Sequence, residues 1–142
     1  MTSVCVVALL LIAAPQLPAR DTPTGKLTVT IINVRSDSGY VRIALFNSPE
    51  THLKSSFRSE RIPATGQHCV VVLDQLPYGE FTFIVHHDEN GNGKMDKNFL
   101  GMPKEGYAFS RGARVSFGAP SYRDCTLKLE ASELSVVVKL SY

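Results

Sequence analysis

The sequence predicts an all-β fold, an antiparallel β-sandwich of six or seven short strands with one long loop. Several short segments alternate apolar and polar residues, which is the pattern of a strand with one buried face. Clusters of Gly, Pro, Asn, Asp and Ser separate these segments, and no segment has a convincing long-helix pattern. A chain of 142 residues leaves room for one such domain and little more.

The first half of the predicted domain contains four strands. Segments 26–34 and 40–46 alternate around the turn 36–39, so the sequence predicts that they form a hairpin. Segments 67–73 and 79–86 are the third and fourth strands. The side chains predicted to face the core are Leu27, Val29, Ile31, Val41, Ile43, Leu45, Phe81, Phe83 and Val85.

The connections and the second half are less regular. Segment 47–63 is predicted to be an irregular crossover with a turn or two of helix, in which Leu53 and Phe57 face the core. Residues 88–112 form the long loop, and 114–117 form a short strand or strap. A closing hairpin joins 124–129 to 134–140, with Val136, Val138 and Leu140 pointing inward.

The N-terminus has the pattern of a secretory signal. An apolar run over 4–14 is followed by prolines and small residues, which predicts a signal peptide over 1–19 with cleavage after Ala19, or alternatively after Ala14. A linker over 20–25 and a domain over 26–142 then follow. The protein is expected to be exported, to the periplasm or the medium; the competing interpretation of the run is a buried strand or helix.

Export bears on the two cysteines that remain after cleavage, Cys69 and Cys125. Exported compartments are oxidising, so such a pair often forms a disulfide. The alternative is two buried thiols that act as small apolar side chains.

Charge excludes one class of partner. Fifteen basic and 13 acidic residues give a formal net charge of +2, and no basic cluster indicates nucleic-acid binding. No apolar run of about 18 residues is present either, so no membrane span is expected in the mature form.

A calcium-binding pattern begins at Asp88. Oxygen-bearing side chains at alternate positions, Asp88, Asn90 and Asn92, precede Gly93 and then Asp96, as in D-x-[DN]-x-[DN]-G loops. Gly93 reaches positive φ without steric cost and allows the sharp turn. The carbonyl of Lys94 would supply a further ligand.

The pattern lacks the bidentate glutamate of a calcium hand. Its twelfth position is Phe99, and the missing carboxylate could come from Glu105, Asp124 or Asp74. The predicted ligand set includes the first of these, and consists of Asp88, Asn90, Asn92, Lys94, Asp96 and Glu105. The alternative is a plain hairpin loop, because both Asn-Gly dipeptides are strong turn signals.

Histidines near the motif allow a second class of function. His86, His87 and Asp88, with His68, superficially resemble zinc ligands of a metal-dependent hydrolase. Adjacent strand residues point to opposite faces, so His86 and His87 cannot reach one ion without a bulge. We therefore expect no catalytic residues and expect His87 to brace the loop through a carboxylate or backbone carbonyl.

Four blocks of the chain carry a family resemblance, and they begin at Gly25, Leu76, His86 and Leu100. They read GKLTV, LPYG, HHDENGNGKMD and LGMPKEGYAFS. In this order, over 25–142, the chain resembles the bacterial secreted family catalogued as domain of unknown function 2141. The resemblance implies an exported protein with an Ig-like or transthyretin-like β-sandwich, and it supplies no catalytic residues to carry over, because the activity of the family is not established.

These observations favour an exported, non-catalytic module that calcium stabilises and that binds an unknown protein or glycan. Tyr107 and Phe109 in the long loop are candidates for an exposed binding surface, unless they pack over the end of the sandwich. The two alternatives are the metal-dependent hydrolase, built on the His87/Asp88 region, and a purely structural envelope protein.

Overall fold

The computed structural model describes residues 21–142, so the predicted signal segment 1–19 lies outside the described residues. Eight strands form two sheets in the described part, together with a 3-10 turn at Ser110–Gly112 and one short helix, α1, at Tyr122–Cys125. The strands are β1 (Thr24–Val34), β2 (Tyr40–Phe46), β3 (Arg58–Pro63), β4 (Gln67–Pro77), β5 (Gly79–Asp88), β6 (Gly106–Phe109), β7 (Leu127–Leu129) and β8 (Glu133–Lys139). The nearly all-β prediction is confirmed, with more strands than expected. No helix among residues 21–142 is long and apolar enough to cross a membrane.

Two sheets divide the strands. The smaller has the order β4-β1-β8, and the larger has the order β3-β2-β5-β6, with β7 also paired to β5. All pairs are antiparallel except β1 with β8, which run parallel. The expectation of a wholly antiparallel fold is therefore wrong for that pair. The sheets are rich in antiparallel pairs and do not close into a barrel.

The core lies between the sheets and follows the predicted alternation. Every inward position predicted in the first four strands is at most 4% exposed. Val138 and Leu140 are also buried, and Val136 is partly buried against the same cluster. The apolar/polar alternation therefore identified the buried face of each long strand correctly.

Both predicted hairpins are wrong, because the chain changes sheets at each of the two turns. The turn 36–39 carries it from β1 in the smaller sheet to β2 in the larger one. Gly39 makes this crossing possible: its φ is +68°, and a Cβ there would lie 2.0 Å from the carbonyl oxygen of Asp88. At the other turn, β7 pairs with β5 while β8 pairs with β1.

The irregular segments also differ from the prediction. Residues 48–55 make helical turns, as expected, but β3 follows them, and Phe57 stays 45% exposed rather than facing the core. Of the two alternatives predicted for 114–117, a short strand or a strap, the structure shows the strap: 113–120 crosses the surface without forming a strand. β6 lies inside the predicted long loop, and β1 begins within the predicted linker.

The predicted disulfide between Cys69 and Cys125 is also wrong. Both residues are free and buried thiols within the described residues. Cys69 is on β4 of the smaller sheet, and its Sγ lies 3.3 Å from the hydroxyl of Thr65. Cys125 lies beside the larger sheet, where its carbonyl accepts a hydrogen bond from Ser110. Burial raises the pKa of the Cys125 thiol to about 11. The thiols therefore act as apolar core side chains.

Candidate metal centre

The predicted calcium motif begins where β5 ends. β5 runs to Asp88, the chain loops out over 89–105, and β6 returns at Gly106 to pair with the same strand. This return places Glu105 beside the end of β5. His86 and Asp88 share a face of β5 because side chains alternate along a strand. Ligand atoms of His86, Asp88 and Glu105 consequently lie within 4.8 Å of one another.

Asp88 is fully buried and only half satisfied. One oxygen, Oδ2, accepts a hydrogen bond from the Gly93 backbone N–H at 2.9 Å and lies 3.4 Å from Nη1 of Arg42. The other oxygen, Oδ1, has no hydrogen-bond partner among the described residues. Leaving a buried acceptor unpaired costs about 1–3 kcal/mol, and more for a charged group. This oxygen is therefore the strongest indication that the loop holds a cation.

Glu105 ties the two ends of the loop together. It is 4% exposed, and its Oε1 accepts a bond from the Glu89 N–H at 3.0 Å. Its Oε2 accepts a bond from the Asp96 N–H at 3.1 Å and lies 2.8 Å from Nε2 of His86. Of the three candidates for the missing carboxylate, Glu105 is thus the one that lies beside Asp88. The two other candidates lie elsewhere: Asp124 caps α1, and Asp74 lies on β4.

The alternating side chains converge on Asp96. Nδ2 of Asn90 donates to its carboxylate at 2.6 Å, and Nδ2 of Asn92 donates to both oxygens at 3.1 Å. The two amide oxygens accept N–H groups two residues onward, from Asn92 and Lys94. Gly93 has a φ of +78°, as the motif required. The structure therefore brings the predicted side-chain ligands together in two groups, Asp88 with Glu105 and both asparagines with Asp96.

Two residues of the predicted motif, Phe99 and Lys94, lie at the surface. Phe99, at the twelfth position of the motif, is 95% exposed and lies outside the loop's polar cluster. The side chain of Lys94 is exposed as well, as expected for a residue that would contribute only its carbonyl.

Tyr107 and Phe109 pack edge to face at 6.0 Å, and Phe109 is 4% exposed. These two aromatics are thus packed rather than displayed.

Sequence reasoning missed Arg42, which lies above the buried carboxylate of Asp88. It sits on the outer face of β2, opposite His86 in the register, and the sequence predicted only that it points outward. A Cβ at Gly93 would come within 3.2 Å of its guanidinium, so glycine also makes room for this cation. The alternation of β2 indicated its face, but only the strand register brings it to the loop.

His87 belongs to a separate network on the inner face of β5. Its Nε2 lies 2.9 Å from the Ser38 carbonyl, and its Nδ1 lies 2.7 Å from the hydroxyl of Tyr142. That hydroxyl accepts the backbone N–H of Arg35 at 3.1 Å. A neutral ring that donates from Nε2 and accepts at Nδ1 satisfies the whole chain. The ring bonds a backbone carbonyl, as predicted, but it holds the turn 36–39 and the C-terminal Tyr142 rather than the loop.

An ion pair closes this second network. Arg35 donates to both carboxylate oxygens of Glu89 and stacks on the Tyr142 ring, 4.3 Å from its centre. The hydrogen bond from Arg35 lowers the pKa of Glu89, against the opposing effect of burial. We call the set of Arg35, Ser38, His87, Glu89 and Tyr142 the histidine brace.

Comparison with known proteins identifies a family for this chain. Residues 29–137 match the family model described as "Uncharacterized protein conserved in bacteria (DUF2141)". No curated protein and no solved structure matches the chain.

Proposed function

The chain belongs to this bacterial family of uncharacterized proteins, and we propose that it is an exported, non-catalytic binding module that calcium stabilises through the loop 88–96. The two facing sheets and the repeated crossings between them support an Ig-like or transthyretin-like sandwich as its frame. The partner of such a module would be an envelope or extracellular protein or glycan.

The observation that carries the proposal is the unpaired Oδ1 of Asp88. A buried carboxylate oxygen is satisfied by a donor or by a cation. Neighbouring oxygens are available from Glu105 within 4.8 Å. Hard oxygen donors and a glycine turn suit Ca²⁺, which accepts irregular cages of six to eight oxygens, better than Mg²⁺, which demands near-octahedral geometry.

The proposed ligands are Asp88, Asn90, Asn92, Asp96, the Lys94 carbonyl and Glu105. Asn90 and Asn92 are exposed, and their NH₂ groups donate to the Asp96 carboxylate. Their side chains can turn away from Asp96 and present the amide oxygens to the ion. Arg42 opposes the ion by like charge. With three carboxylates and this opposing cation, we expect a Kd of about 10⁻⁵–10⁻³ M, the range of extracellular modules.

Calorimetric titration and thermal unfolding test the proposal. At a hundredfold excess over Kd, Ca²⁺ should stabilise the protein by about 2.7 kcal/mol, and Mg²⁺ should substitute poorly. Asp88→Asn should abolish the calcium-dependent shift while it keeps an acceptor for the Gly93 N–H. Asp37→Asn, an exposed change of the same charge on the neighbouring turn, is the control. No heat and no shift at millimolar Ca²⁺ would support a purely structural envelope protein.

Export has its own test. N-terminal sequencing of the protein from its native host should begin at or near Arg20, after removal of the predicted signal over 1–19. A soluble cytoplasmic pool that retains Met1 would contradict export without affecting the calcium proposal.

A second candidate is a metal-dependent hydrolase, favoured by the cluster of His86, Asp88 and Glu105. One imidazole and two carboxylates could hold a transition metal. His87 does not serve it, because its ring is committed to Ser38 and Tyr142. Zn²⁺ binding that is tighter than Ca²⁺ binding and is lost in His86→Ala would favour this candidate. If calcium is the ion, His86→Ala should leave the calcium shift largely intact.

A further inference from the structure

A rigid hairpin tip projects from the loop beyond the metal centre. Lys97 and Pro103 form an isolated β-bridge, and Asn98 organises the residues between them. Its backbone N–H donates to the Met102 carbonyl at 2.9 Å, and its Oδ1 accepts the N–H groups of Leu100 and Met102 at 2.9 and 3.0 Å. We call residues 97–103 the apolar tip. Its conformation is fixed by its own hydrogen bonds.

The tip displays large apolar side chains to solvent. Phe99 is 95% exposed, Leu100 70% and Met102 60%. A second surface segment, 113–119, displays Phe117, which is fully exposed, and Val115. Contiguous exposed apolar groups of this size mark interaction sites, whereas isolated ones need no explanation.

Both segments border a single groove on the outer face of the larger sheet. The groove has a volume of about 470 Å³, with Gly101 and Pro103 of the tip on one side and Val115 and Gly118 on the other. Ile84 and Phe109 also line it. The apolar tip and segment 113–119 are therefore neighbours on the surface of the molecule.

The charge around this face is mainly positive. Between residues 97 and 124 the cations are Lys97, Lys104, Arg111, Arg114 and Arg123, and the two acidic residues are Glu105, which is buried beside His86, and Asp124, which is exposed beside Arg111 and Arg123. None of these five cations forms an ion pair within residues 21–142.

We propose that the apolar tip and segment 113–119 dock the protein on the surface of an anionic lipid bilayer. Protruding Phe, Leu and Met side chains enter the boundary between headgroups and acyl chains one by one. The surrounding Lys and Arg side chains are attracted to anionic headgroups within about a Debye length. Five cations against one exposed carboxylate, Asp124, give this face a net positive charge that matches an anionic sheet of headgroups, and that match favours a bilayer over a protein partner.

Vesicle co-sedimentation of the mature chain tests this docking. The probes are vesicles of phosphatidylcholine alone and of phosphatidylcholine mixed equally with phosphatidylglycerol, each in calcium and in chelator. The protein should sediment with the mixed vesicles only, and higher NaCl should weaken binding. The docking surface lies outside the proposed calcium ligands apart from Glu105, so a failed calcium titration leaves this expectation in place.

Matched variants locate the surface. Phe99→Ser combined with Leu100→Ser, and Phe117→Ser, should each weaken binding about tenfold or more, because each removes an inserting side chain. Val72→Ser, 46% exposed on β4 of the smaller sheet, is the apolar control and should change little. Lys97→Gln with Lys104→Gln should reduce the salt-dependent part of binding, and Lys26→Gln on β1 should not.

Three outcomes would overturn the proposal. The first is no sedimentation with anionic vesicles in either buffer. The second is sedimentation that the Phe99 and Phe117 variants leave unchanged. The third is a dimer in light scattering that these variants convert to monomer, which would show that a second copy of the chain covers the face instead.

Discussion

Two polar networks lie side by side at one end of the sandwich, on opposite faces of β5. On the inner face, the histidine brace gives both ring nitrogens of His87 a partner. On the outer face, the loop gathers three carboxylates and leaves Oδ1 of Asp88 without a donor among the described residues. His87 and Asp88 are adjacent on β5. His87 thus belongs to a network in which both ring nitrogens have partners, and Asp88 to one in which a carboxylate oxygen has none within residues 21–142. The first network has a partner for each ring nitrogen, whereas the second leaves a buried oxygen open to a cation or a further donor.

The largest expected effect comes from removing the brace. His87→Ala leaves a cavity at a fully buried site and strips the Ser38 carbonyl and the Tyr142 hydroxyl of their partner. We expect a loss of about 2–4 kcal/mol in the free energy of unfolding, measured with urea. The calcium-dependent increment should survive, because no brace side chain is a proposed ligand. Loss of that increment would show that the two networks are one.

Glu105→Gln should have the next largest effect, because it disturbs the loop in the calcium-free and in the calcium-bound protein. The carboxylate meets three potential donors, the N–H groups of Glu89 and Asp96 and the ring of His86. The glutamine carboxamide has only one oxygen that accepts hydrogen bonds. Its NH₂ group would face a backbone N–H group, and that N–H would lose its acceptor. We expect a loss of about 2–3 kcal/mol without calcium, together with a weaker calcium shift.

The comparison variants for Glu105→Gln are Asp124→Asn and Asp74→Asn. The sequence left these two aspartates open as suppliers of the missing carboxylate. Because they lie at α1 and on β4, both variants should keep the full calcium shift in thermal unfolding. A shift lost in either one would contradict the placement of Glu105 in the site.

What the sequence could predict follows from how far apart the interacting residues are. The spacing of Asp88, Asn90, Asn92 and Gly93 is local, and the structure shows the turn at Gly93 that this spacing required. Glu105 and Arg42 meet Asp88 only through the pairing of β5 with β6 and β2, whereas His86 lies two residues before Asp88 on the same strand. A single sequence does not specify that register, so it left three candidates for one carboxylate.

The same distinction explains the fold errors. Alternation fixes which side of a strand is buried, and Val29, Val41 and Phe83 are buried as expected. It does not fix the neighbour, and a four-residue turn at 36–39 serves a hairpin as well as a change of sheet. The close approach of Gly39 to Asp88, which marks the change of sheet, is a tertiary contact.

Arg42→Gln tests the loop network, in which Oδ1 of Asp88 has no donor among the described residues. Its guanidinium, 3.4 Å from Asp88 Oδ2, partly compensates the buried charge and repels an entering dication. Removing it should tighten calcium binding about thirtyfold, because a unit charge and a dication about 4 Å apart repel by about 2 kcal/mol in bulk water. Calorimetric titration at low salt measures this, and the gain should shrink at high salt.

The control for Arg42→Gln is Arg58→Gln, on β3 and paired with Glu60. It changes the net charge equally but lies away from Asp88, so its calcium affinity should stay close to that of the unaltered protein. If both variants gained equally, the effect would be one of net charge and not of the position of Arg42.

The smallest expected effect concerns Glu89, the one residue that both networks share. Its side chain pairs with Arg35 in the brace, and its backbone N–H donates to Glu105 in the loop. The Arg35 hydrogen bond lowers the pKa of Glu89 in the folded protein. A lowered folded pKa means that the pair stabilises the protein above the ordinary pKa of a glutamate and that this stabilisation is lost as the pH falls below it. Half of the Arg35 side chain is exposed, so the contribution should stay within about 1 kcal/mol.

Arg35→Gln isolates that contribution. Urea unfolding from pH 7 to pH 3 should show a slightly shallower loss of stability in the variant than in the unaltered protein, and the difference should vanish at the acidic end. Calcium stabilisation at pH 7 should be the same in both, because only the side chain of Glu89 has lost its partner while its N–H still reaches Glu105. A variant with a reduced calcium shift at pH 7 would show that the brace holds the loop in place through Glu89, and the two faces of β5 would then be coupled rather than independent.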